Sequence, residues 1–221
     1  MSDLRLVIFD VDGTLVDSQA EIVAAMTSAF AGEGLDLPDR QRLLSIVGLS
    51  LDEAFIQLCP DSDAARRARL VAGYKNSYMD LRDSQRKFGP MFPGAMDVLQ
   101  SLAAQEETFL AVATGKSRRG LDKLLEYYEL TGFFHSEQVS DHHPSKPNPS
   151  MILTALNDTG VDAARTVMIG DTTFDMDMGR AAGVRTIGVS WGYHPADSLR
   201  PDVLIEDFAA LPEAVDQLTG N

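Results

Sequence analysis

The stretch Leu6-Val7-Ile8-Phe9-Asp10-Val11-Asp12-Gly13-Thr14 is the clearest structural signal in this chain. Its first four residues are all apolar, so residues 4–9 predict a β-strand that is buried on both faces. Strands of that kind occur in parallel sheets that helices cover on both sides. The predicted strand meets Asp10 at its carboxyl end, which is where open α/β sheets bind their ligands. The acidic residues behind the strand are therefore the first candidate functional residues.

The chain after Gly94 alternates between strand and helix patterns. Such alternation predicts βαβ units with right-handed crossovers and a mostly parallel sheet. The expected fold class is therefore α/β, with a Rossmann-like core whose sheet is flanked by helices. The predicted strands lie at 108–113, 138–140, 166–169, 185–189 and 203–205, and the predicted helices at 95–104, 117–128, 149–158, 174–182 and 209–218.

The segment that follows the first strand shows no convincing strand pattern. Ser18-Gln19-Ala20-Glu21 has the form of a capping box, in which two side chains bond backbone N–H groups at a helix start. Breaker residues close the segment at Gly89-Pro90. We therefore expect an α/β core from residues 1–17 and 84–221, with an all-helical insertion at 18–83. Its predicted helices lie at 22–30, 40–46, 51–58 and 63–81.

Composition excludes several classes of partner. The chain has 221 residues, with 33 Asp plus Glu against 19 Lys plus Arg, and a formal net charge of −14. Nucleic-acid binding draws on Lys and Arg that neutralise phosphates, so no nucleic-acid partner is expected. No stretch approaches the roughly 18–20 apolar residues of a membrane span. Cys59 is the single cysteine, which fits a reducing compartment, and we expect a soluble cytoplasmic protein that is a monomer or a homodimer.

Polar residues follow the other predicted strands as well. In open α/β sheets the binding crevice lies beyond the carboxyl ends of the strands, so we expect these residues to meet the first two aspartates there. The residues after the predicted strands at 108–113, 138–140 and 166–169 are Thr114-Gly115-Lys116-Ser117, Ser145-Lys146-Pro147 and Gly170-Asp171, with Asp175 where the next helix begins.

The acidic residues among them predict a site for a hard cation. Asp10 and Asp12 are two residues apart, which puts both carboxylates on one side if the strand geometry continues. Two negative charges that close are costly unless a cation lies between them or one carboxyl is protonated. Asp171 and Asp175 are expected to join the same cluster. Oxygen ligands without Cys or a suitable His favour Mg²⁺.

The remaining polar groups predict phosphate chemistry. Lys146 supplies a fixed positive charge, and Thr114 supplies a hydroxyl beside the backbone N–H groups of a helix N-terminus, which together form a phosphate site. An aspartate carboxylate can attack phosphorus to form an aspartyl phosphate, which divides one difficult hydrolysis into two easier steps. The residues therefore predict hydrolysis of a phosphate monoester on a small phosphorylated metabolite.

Two other interpretations of these motifs fail on spacing. Asp10-Val11-Asp12-Gly13 lacks the third acidic or amide residue that an EF-hand calcium loop has before its glycine. Gly115-Lys116-Ser117 resembles the end of a nucleotide-binding P-loop, but Leu110 stands where the leading glycine of that motif belongs. Lys116 is then expected to start a helix near the pocket, with direct contact to a phosphate as the alternative.

Other polar and aromatic residues near the motifs have a structural explanation beside a functional one. Asp17 is expected at a turn between the core and the insertion rather than on a substrate. His142 and His143 are expected to be solvated loop residues rather than ligands. Trp191 and Tyr193 follow a predicted strand and either line the rim of the cleft or pack in the core.

Taken in order, the motifs resemble the four motifs of the haloacid dehalogenase superfamily. The helical insertion resembles the small cap of the branch that contains phosphoglycolate phosphatases and β-phosphoglucomutase. With Asp12 the chain resembles the phosphatases and phosphomutases of the family. Members that dehalogenate or cleave phosphonates lack an acidic residue at this position. The matching residues span nearly the whole chain and are Asp10-x-Asp12-Gly13-Thr14, Thr114, Lys146 and Gly170-Asp171-x-x-x-Asp175.

This resemblance implies a role for each matching residue. Asp10 would be the nucleophile. Asp12 would protonate the leaving oxygen and then activate water. Thr114 and Lys146 would hold the transferring phosphoryl group, with Gly115 beside them in the substrate site.

The resemblance also implies the metal ligands and the reaction. Mg²⁺ would be held by Asp10, the backbone carbonyl of Asp12 and Asp171, with Asp175 as a further ligand or a partner of one. The chain would then be a Mg²⁺-dependent phosphatase similar to phosphoglycolate phosphatase. The alternatives are a phosphosugar mutase of the β-phosphoglucomutase type, a pyrophosphatase and a non-catalytic binding protein that retains the fold.

Substrate choice in this family is assigned to a cap loop that faces the metal site, and the matching segment here is Val47-Gly48-Leu49-Ser50. Many relatives similar to this branch place an Arg four residues before that glycine, where this chain has Leu44. Residues 43–60 contain no Lys, Arg or His, so a second anionic group on the substrate lacks a partner unless Arg40 or Arg42 reaches it. Strict phosphoglycolate specificity is therefore not expected. The candidate substrate-binding residues of this loop are Gly48, Leu49 and Ser50.

Overall fold

A six-stranded sheet lies at the centre of the computed structural model, which describes residues 4–85 and 88–220. Its strands are β1 (Arg5–Phe9), β2 (Thr108–Thr114), β3 (Ser136–Val139), β4 (Thr166–Gly170), β5 (Arg185–Val189) and β6 (Val203–Ile205). They form one sheet in the order β3-β2-β1-β4-β5-β6, and every neighbouring pair is parallel. The prediction of an α/β fold with a mostly parallel sheet is confirmed.

Helices connect these strands and cover both faces of the sheet. No helix within 4–85 or 88–220 is both long enough and apolar enough to cross a membrane. Positions 86 and 87 of the predicted core, and its positions 1–3 and 221, lie outside the described residues. The helices of the described ranges are α1 (Gln19–Gly32), α2 (Arg40–Leu44), α3 (Leu51–Leu58), α4 (Ala64–Gln85), α5 (Ala95–Ala103), α6 (Arg118–Tyr127), α7 (Ser150–Thr159), α8 (Thr173–Ala182), α9 (Ala196–Leu199) and α10 (Leu211–Thr219).

The central strand β1 is apolar on both faces because hydrophobic clusters lie on each side of it. Val7 and Phe9 belong to one cluster, and Leu6 and Ile8 belong to another. All four residues are 0% exposed. Neighbouring strand residues point to opposite faces, so the uninterrupted apolar run fills both layers of the core.

The helical insertion, α1 to α4, has a hydrophobic cluster of its own. Phe30 of α1 lies against Phe55 of α3, with ring centroids 6.1 Å apart. Tyr74 of α4 packs edge-on against Phe55, with centroids 6.5 Å apart. These contacts agree with an all-helical insertion, whose exact limits at 18–83 stay a prediction.

The predicted capping box at Ser18 and Glu21 is wrong. Ser18 is the N-cap residue of α1, but its side chain makes no capping bond. Its hydroxyl instead donates a hydrogen bond to Asp12. A capping box does form at α8, where Thr172 and Asp175 bond each other's backbone N–H groups. A tertiary partner therefore competes with the local capping bond at Ser18.

Two other predicted elements are displaced along the chain. The third strand was expected at 138–140, and it runs from Ser136 because that residue pairs with Ala111 of β2. The last helix was expected from 209, but a 3₁₀ turn, Phe208–Ala210, precedes it. The side chain of Asp207 caps that turn by accepting a hydrogen bond from the N–H of Ala210 at 3.1 Å. Polar strands and turns carry weak periodicity, which explains both displacements.

Two helical glycines differ in the space around them and provide a test of the packing. A Cβ on Gly179 of α8 would lie 2.5 Å from Thr186 Cγ2 of β5, whereas a Cβ on Gly73 of α4 would lie 3.5 Å from the nearest atom, Ala29 Cα. We expect Gly179→Ala to lower the free energy of unfolding by about 1–3 kcal/mol through overpacking. Gly73→Ala should raise it by up to about 1 kcal/mol, because alanine favours helix. Urea unfolding measures both, and effects of the same sign would contradict this packing.

Candidate active site

The carboxyl ends of three neighbouring strands bring the candidate residues together. Asp10 follows β1, Thr114 is the last residue of β2, and Asp171 follows β4. Since β1 lies between β2 and β4 and all three run in the same direction, these residues share one edge of the sheet. Each of the three is at most 1% exposed. The site is therefore buried at the strand ends, as the motif positions predict.

A buried lysine links two carboxylates at this edge. Lys146 Nζ donates hydrogen bonds to Asp10 Oδ1 at 2.7 Å and to Asp175 Oδ1 at 2.6 Å. The side chain of Lys146 has no solvent exposure. A buried charge is tolerated when it is paired and hydrogen-bonded, and this ammonium has two carboxylate partners.

Further hydrogen bonds fix the orientation of the carboxylates. Asp171 accepts from the hydroxyl of Thr14 at 2.9 Å and from the backbone N–H of Tyr193 at 2.8 Å. The second oxygen of Asp175 accepts from the backbone N–H of Thr172 at 3.1 Å and from its hydroxyl at 2.7 Å. The carboxylate cluster is therefore held in place before any ligand binds.

Burial and mutual repulsion raise the pKa values of two of these carboxyl groups. Burial raises the pKa of Asp10 to about 7, against the opposing effect of Lys146 and with a further rise from Asp175. Burial also raises the pKa of Asp171 well above its usual value, and the charges of Asp10 and Asp175 raise it further. For Lys146, burial lowers the pKa, but the two carboxylates bonded to it bring the pKa above its usual value. The cluster is thus short of positive charge.

The residues fit a divalent cation. One carboxylate oxygen from each of Asp10, Asp171 and Asp175 lies within 4.8 Å of the others. Asp10 Oδ2 is buried and has no hydrogen-bond partner among the described residues. Three ionised carboxylates and the ammonium of Lys146 together carry a charge of 1 − 3 = −2, which a divalent cation neutralises. Carboxylate oxygens are ligands that Mg²⁺ and Ca²⁺ prefer.

The side chain of Asp12 lies outside this cluster, which contains three carboxylates where four were expected. Asp12 Oδ1 forms an ion pair with Lys116 Nζ at 2.8 Å and accepts a hydrogen bond from the hydroxyl of Ser18. The reason is that β1 ends at Phe9, so the alternation of strand side chains does not continue to residue 12. The backbone carbonyl of Asp12 stays a predicted ligand.

Lys116 has a tertiary role that the sequence did not predict. It lies just before α6, and beyond its ion pair with Asp12 its Nζ lies 3.3 Å from the hydroxyl of Tyr78 and 5.2 Å from the centre of that ring. Burial lowers the pKa of Lys116, but Asp12 brings it above its usual value. No sequence spacing relates these three residues, because they come from two loops of the core and from α4.

Two glycines confine the carboxylate of Asp171. A Cβ on Gly192 would lie 2.0 Å from Asp171 Cβ, and a Cβ on Gly13 would lie 2.3 Å from Asp171 Oδ2. Gly13 also has a φ of +89°, which glycine adopts without steric cost. Gly13 therefore allows both the backbone turn after Asp12 and the close approach of the Asp171 carboxylate.

Trp191 and Tyr193 were each expected either in the core or at the rim of the cleft, and the structure places them differently. The ring of Trp191 packs in the core, with its centroid 6.0 Å from Phe92 and 4.8 Å from Phe208. Tyr193 lies at the site, since its backbone N–H bonds Asp171.

His142, His143 and Asp17 are not part of the carboxylate cluster. His143 has its ring nitrogens 2.8 Å from Ser150 Oγ and 2.8 Å from Gln138 Oε1. His142 and Asp17 are exposed. The exposed positions of His142 and Asp17 agree with the structural explanation given to them from the sequence. His143 is half-buried and bonded to two side chains, so the prediction that it is a solvated residue is wrong.

The predicted substrate loop faces the strand ends. A Cβ on Gly115 would lie 2.6 Å from the carbonyl oxygen of Leu49 and 2.7 Å from that of Gly48. The backbone N–H of Ser50 donates to Ser145 Oγ at 2.9 Å. The loop of the insertion therefore contacts both core loops that carry the predicted phosphate-binding residues.

Arg40 and Arg42 bond to other parts of the insertion. Arg42 Nη2 donates to the carbonyl oxygen of Gln57 at 2.7 Å, and Arg40 donates to the side chain of Gln19. Neither arginine is directed to the substrate loop. They therefore do not supply the positive charge that residues 43–60 lack.

Comparison with known proteins identifies the family. The model of the haloacid dehalogenase-like hydrolase family matches residues 7–189. The chain therefore belongs to the haloacid dehalogenase-like hydrolases, and the resemblance predicted from the four motifs is confirmed. The prediction that the chain is a hydrolase of this family is confirmed with it.

Individual relatives match nearly the whole chain. A protein of Dickeya dadantii named "Probable phosphatase IndB" is 37% identical and covers 96% of this chain and 94% of its own length. A phosphoglycolate phosphatase of Agrobacterium fabrum is 33% identical, with 95% of this chain and 91% of that protein covered. The crystal structure of a hydrolase from Pseudomonas syringae superposes with a TM-score of 0.85 at 23% identity, covering 98% and 100% of the two chains. That structure shows the shared fold.

Cation binding at the cluster predicts a measurable gain in stability. A cation at about 100 times its Kd stabilises the folded state by about 2.7 kcal/mol. We therefore expect MgCl₂ to raise the Tm beyond the effect of NaCl at equal ionic strength, and Asp171→Asn to lose most of that rise. Thermal unfolding followed by circular dichroism measures both.

The matched control is Asp177→Asn on the same α8 helix as Asp175. Asp177 is 54% exposed in its side chain and pairs with Arg180. Its variant should keep the full response to MgCl₂. An equal response in the two variants would contradict a cation site at Asp171.

Proposed function

We propose that this protein is a Mg²⁺-dependent phosphatase that hydrolyses a small phosphorylated metabolite through an aspartyl phosphate on Asp10. The single observation that carries the proposal is the difference between the surroundings of the two carboxylate oxygens of Asp10. One of its oxygens is held by Lys146 at 2.7 Å, while the other is buried and has no hydrogen-bond partner among the described residues. A fixed carboxylate with one free oxygen in a buried site is suited to attack phosphorus.

The residues around Asp10 would position the substrate. Lys146 orients Asp10 and gives positive charge to the transferring phosphoryl group, and the hydroxyl of Thr114 donates a hydrogen bond to it. Asp10, Asp171, the backbone carbonyl of Asp12 and Asp175 would hold Mg²⁺. When bound there, Mg²⁺ supplies positive charge that stabilises the negative charge on the phosphoryl oxygens.

Asp12 would move the proton in both steps. In the first step a bond forms between Asp10 and phosphorus, the ester P–O bond breaks, and protonated Asp12 gives its proton to the leaving oxygen. In the second step Asp12 takes a proton from water, the water oxygen bonds to phosphorus, and the bond to Asp10 breaks. Inorganic phosphate and the alcohol are the products.

Two kinds of observation support this proposal. The relatives of this chain carry names of phosphatases, among them a phosphoglycolate phosphatase. The loop at 48–50 contacts the core loops near Thr114 and Lys146, as a cap over the site requires. We therefore propose residues 18–83 as the cap. The single cysteine fits a reducing compartment, so we propose the cytoplasm as the location of the enzyme.

The nucleophile assignment is tested by Asp10→Asn. An amide does not attack phosphorus in this way, so kcat for p-nitrophenyl phosphate with Mg²⁺ should fall by about 10³-fold or more. Far-UV circular dichroism should stay unchanged. Turnover near that of the wild type would refute the assignment.

The role of Asp12 is tested by Asp12→Ala with two substrates in rapid-quench experiments. Ethyl phosphate has a poor leaving group that needs a proton, so formation of the phosphoenzyme should slow by about 100-fold or more. p-Nitrophenolate leaves without a proton, so with p-nitrophenyl phosphate the phosphoenzyme should form and then accumulate, because its hydrolysis lacks a base. Unchanged rates with both substrates would exclude the acid–base role.

A further inference from the structure

A largely apolar cavity extends from Asp12 into the helical insertion. Its volume is about 440 Å³, and pockets for small organic ligands span roughly 300–1,000 Å³. Gly48 and Lys116 line the cavity near the strand ends, while Met26 of α1 and Ala54 of α3 line it inside the insertion. Asp12 is in its wall. A molecule beside Asp12 therefore has open space in the direction of the insertion.

Most of the cavity wall inside the insertion is aliphatic and aromatic. Met26 and Ala54 are each 1% exposed. Tyr74 and Tyr78 are stacked, with ring centroids 5.8 Å apart and an interplanar angle of 25°. Both tyrosines line the cavity beside Met26 and Ala54, so an apolar ring that enters it meets aromatic and aliphatic side chains. The shape and polarity of these walls suit an uncharged ring better than a short anion.

The charged groups of the cavity are paired or lie at its solvent end. Lys116 Nζ is 2.8 Å from Asp12, which compensates its positive charge when Asp12 is ionised, and it lies at the core end of the cavity. Lys75 and Arg119 line the cavity but are exposed to solvent. Beyond Lys116, the buried walls within the described residues thus offer no cation to a second anionic group.

We propose that the preferred substrate is a phosphate monoester whose alcohol carries an uncharged aromatic or heteroaromatic ring, and that this ring occupies the cavity. The inference rests on the proposed function, in which Asp12 protonates the leaving oxygen. Because Asp12 lines the cavity, the leaving alcohol extends from the phosphoryl group into it. A two-carbon acid such as glycolate leaves most of the apolar wall uncovered.

The test compares benzyl phosphate with ethyl phosphate and 2-phosphoglycolate, each with Mg²⁺ and the full-length protein. Benzyl alcohol and ethanol are both poor leaving groups, so a difference between their esters reports binding of the ring. We expect kcat/KM for benzyl phosphate to exceed that for each of the other two at least tenfold.

Variants that fill the cavity test where the ring binds. Ala54→Phe should lower the ratio of kcat/KM for benzyl phosphate to that for ethyl phosphate at least tenfold. Met79→Trp, which fills the cavity from α4, gives the same test if Ala54→Phe does not fold. The matched control is Ile56→Phe on the exposed face of α3, where the residue is 45% exposed. It should leave the ratio within twofold of the wild type.

The outcomes separate this inference from the proposed function. Higher kcat/KM on 2-phosphoglycolate or ethyl phosphate overturns the inference and leaves the phosphatase. An unchanged ratio in the folded cavity-filling variants also overturns the inference and leaves the phosphatase. Hydrolysis of p-nitrophenyl phosphate without turnover of benzyl phosphate has the same meaning. Failure to hydrolyse any of the four esters with Mg²⁺ overturns the proposed function itself.

Discussion

The ammonium of Lys146, buried between Asp10 and Asp175, is the interaction on which the arrangement of the site depends. A lysine with no solvent exposure needs carboxylate partners, and two carboxylates this close need a positive charge. The two requirements together join the end of β1, the loop before α7 and the first turn of α8. Asp171 adds a third carboxyl group beside them, and burial together with the charges of Asp10 and Asp175 raises its pKa well above the usual value. A divalent cation at this site would offset the repulsion among the three carboxylates.

A second ion pair, between the partly buried Lys116 and Asp12, gives the two aspartates of the first motif different surroundings. Asp10 faces the carboxylate cluster, while Asp12 faces Lys116, Ser18 and the cavity. Two aspartates two residues apart therefore have different surroundings. The fold can assign nucleophilic attack to one and proton transfer to the other, because different neighbours control each carboxyl group. Tyr78, which contacts Lys116, connects the second pair to the helical insertion.

Much of the fold and of the site could be predicted from local patterns. The apolar run before Asp10 predicts a strand buried on both faces, and Leu6 to Phe9 are fully buried. The motif residues after each strand meet because parallel strands end at one edge. Predictions were weaker where the pattern was short or polar, as at β3 and before α10. Local spacing predicts a capping box at Ser18, because it does not reveal the tertiary partner of that side chain, Asp12.

The order of polar residues along the chain thus specified the class of fold, the family and the residues that gather at the strand ends. These features follow from hydrophobic periodicity and from short motifs, which are local properties of a sequence. The pairing of Lys116 with Asp12, the contact of the Tyr193 backbone with Asp171 and the apolar cavity depend on the packing of the insertion and of remote loops against the core. Residues so far apart in the chain produce no periodic pattern in the sequence. These contacts are therefore seen only in the folded structure.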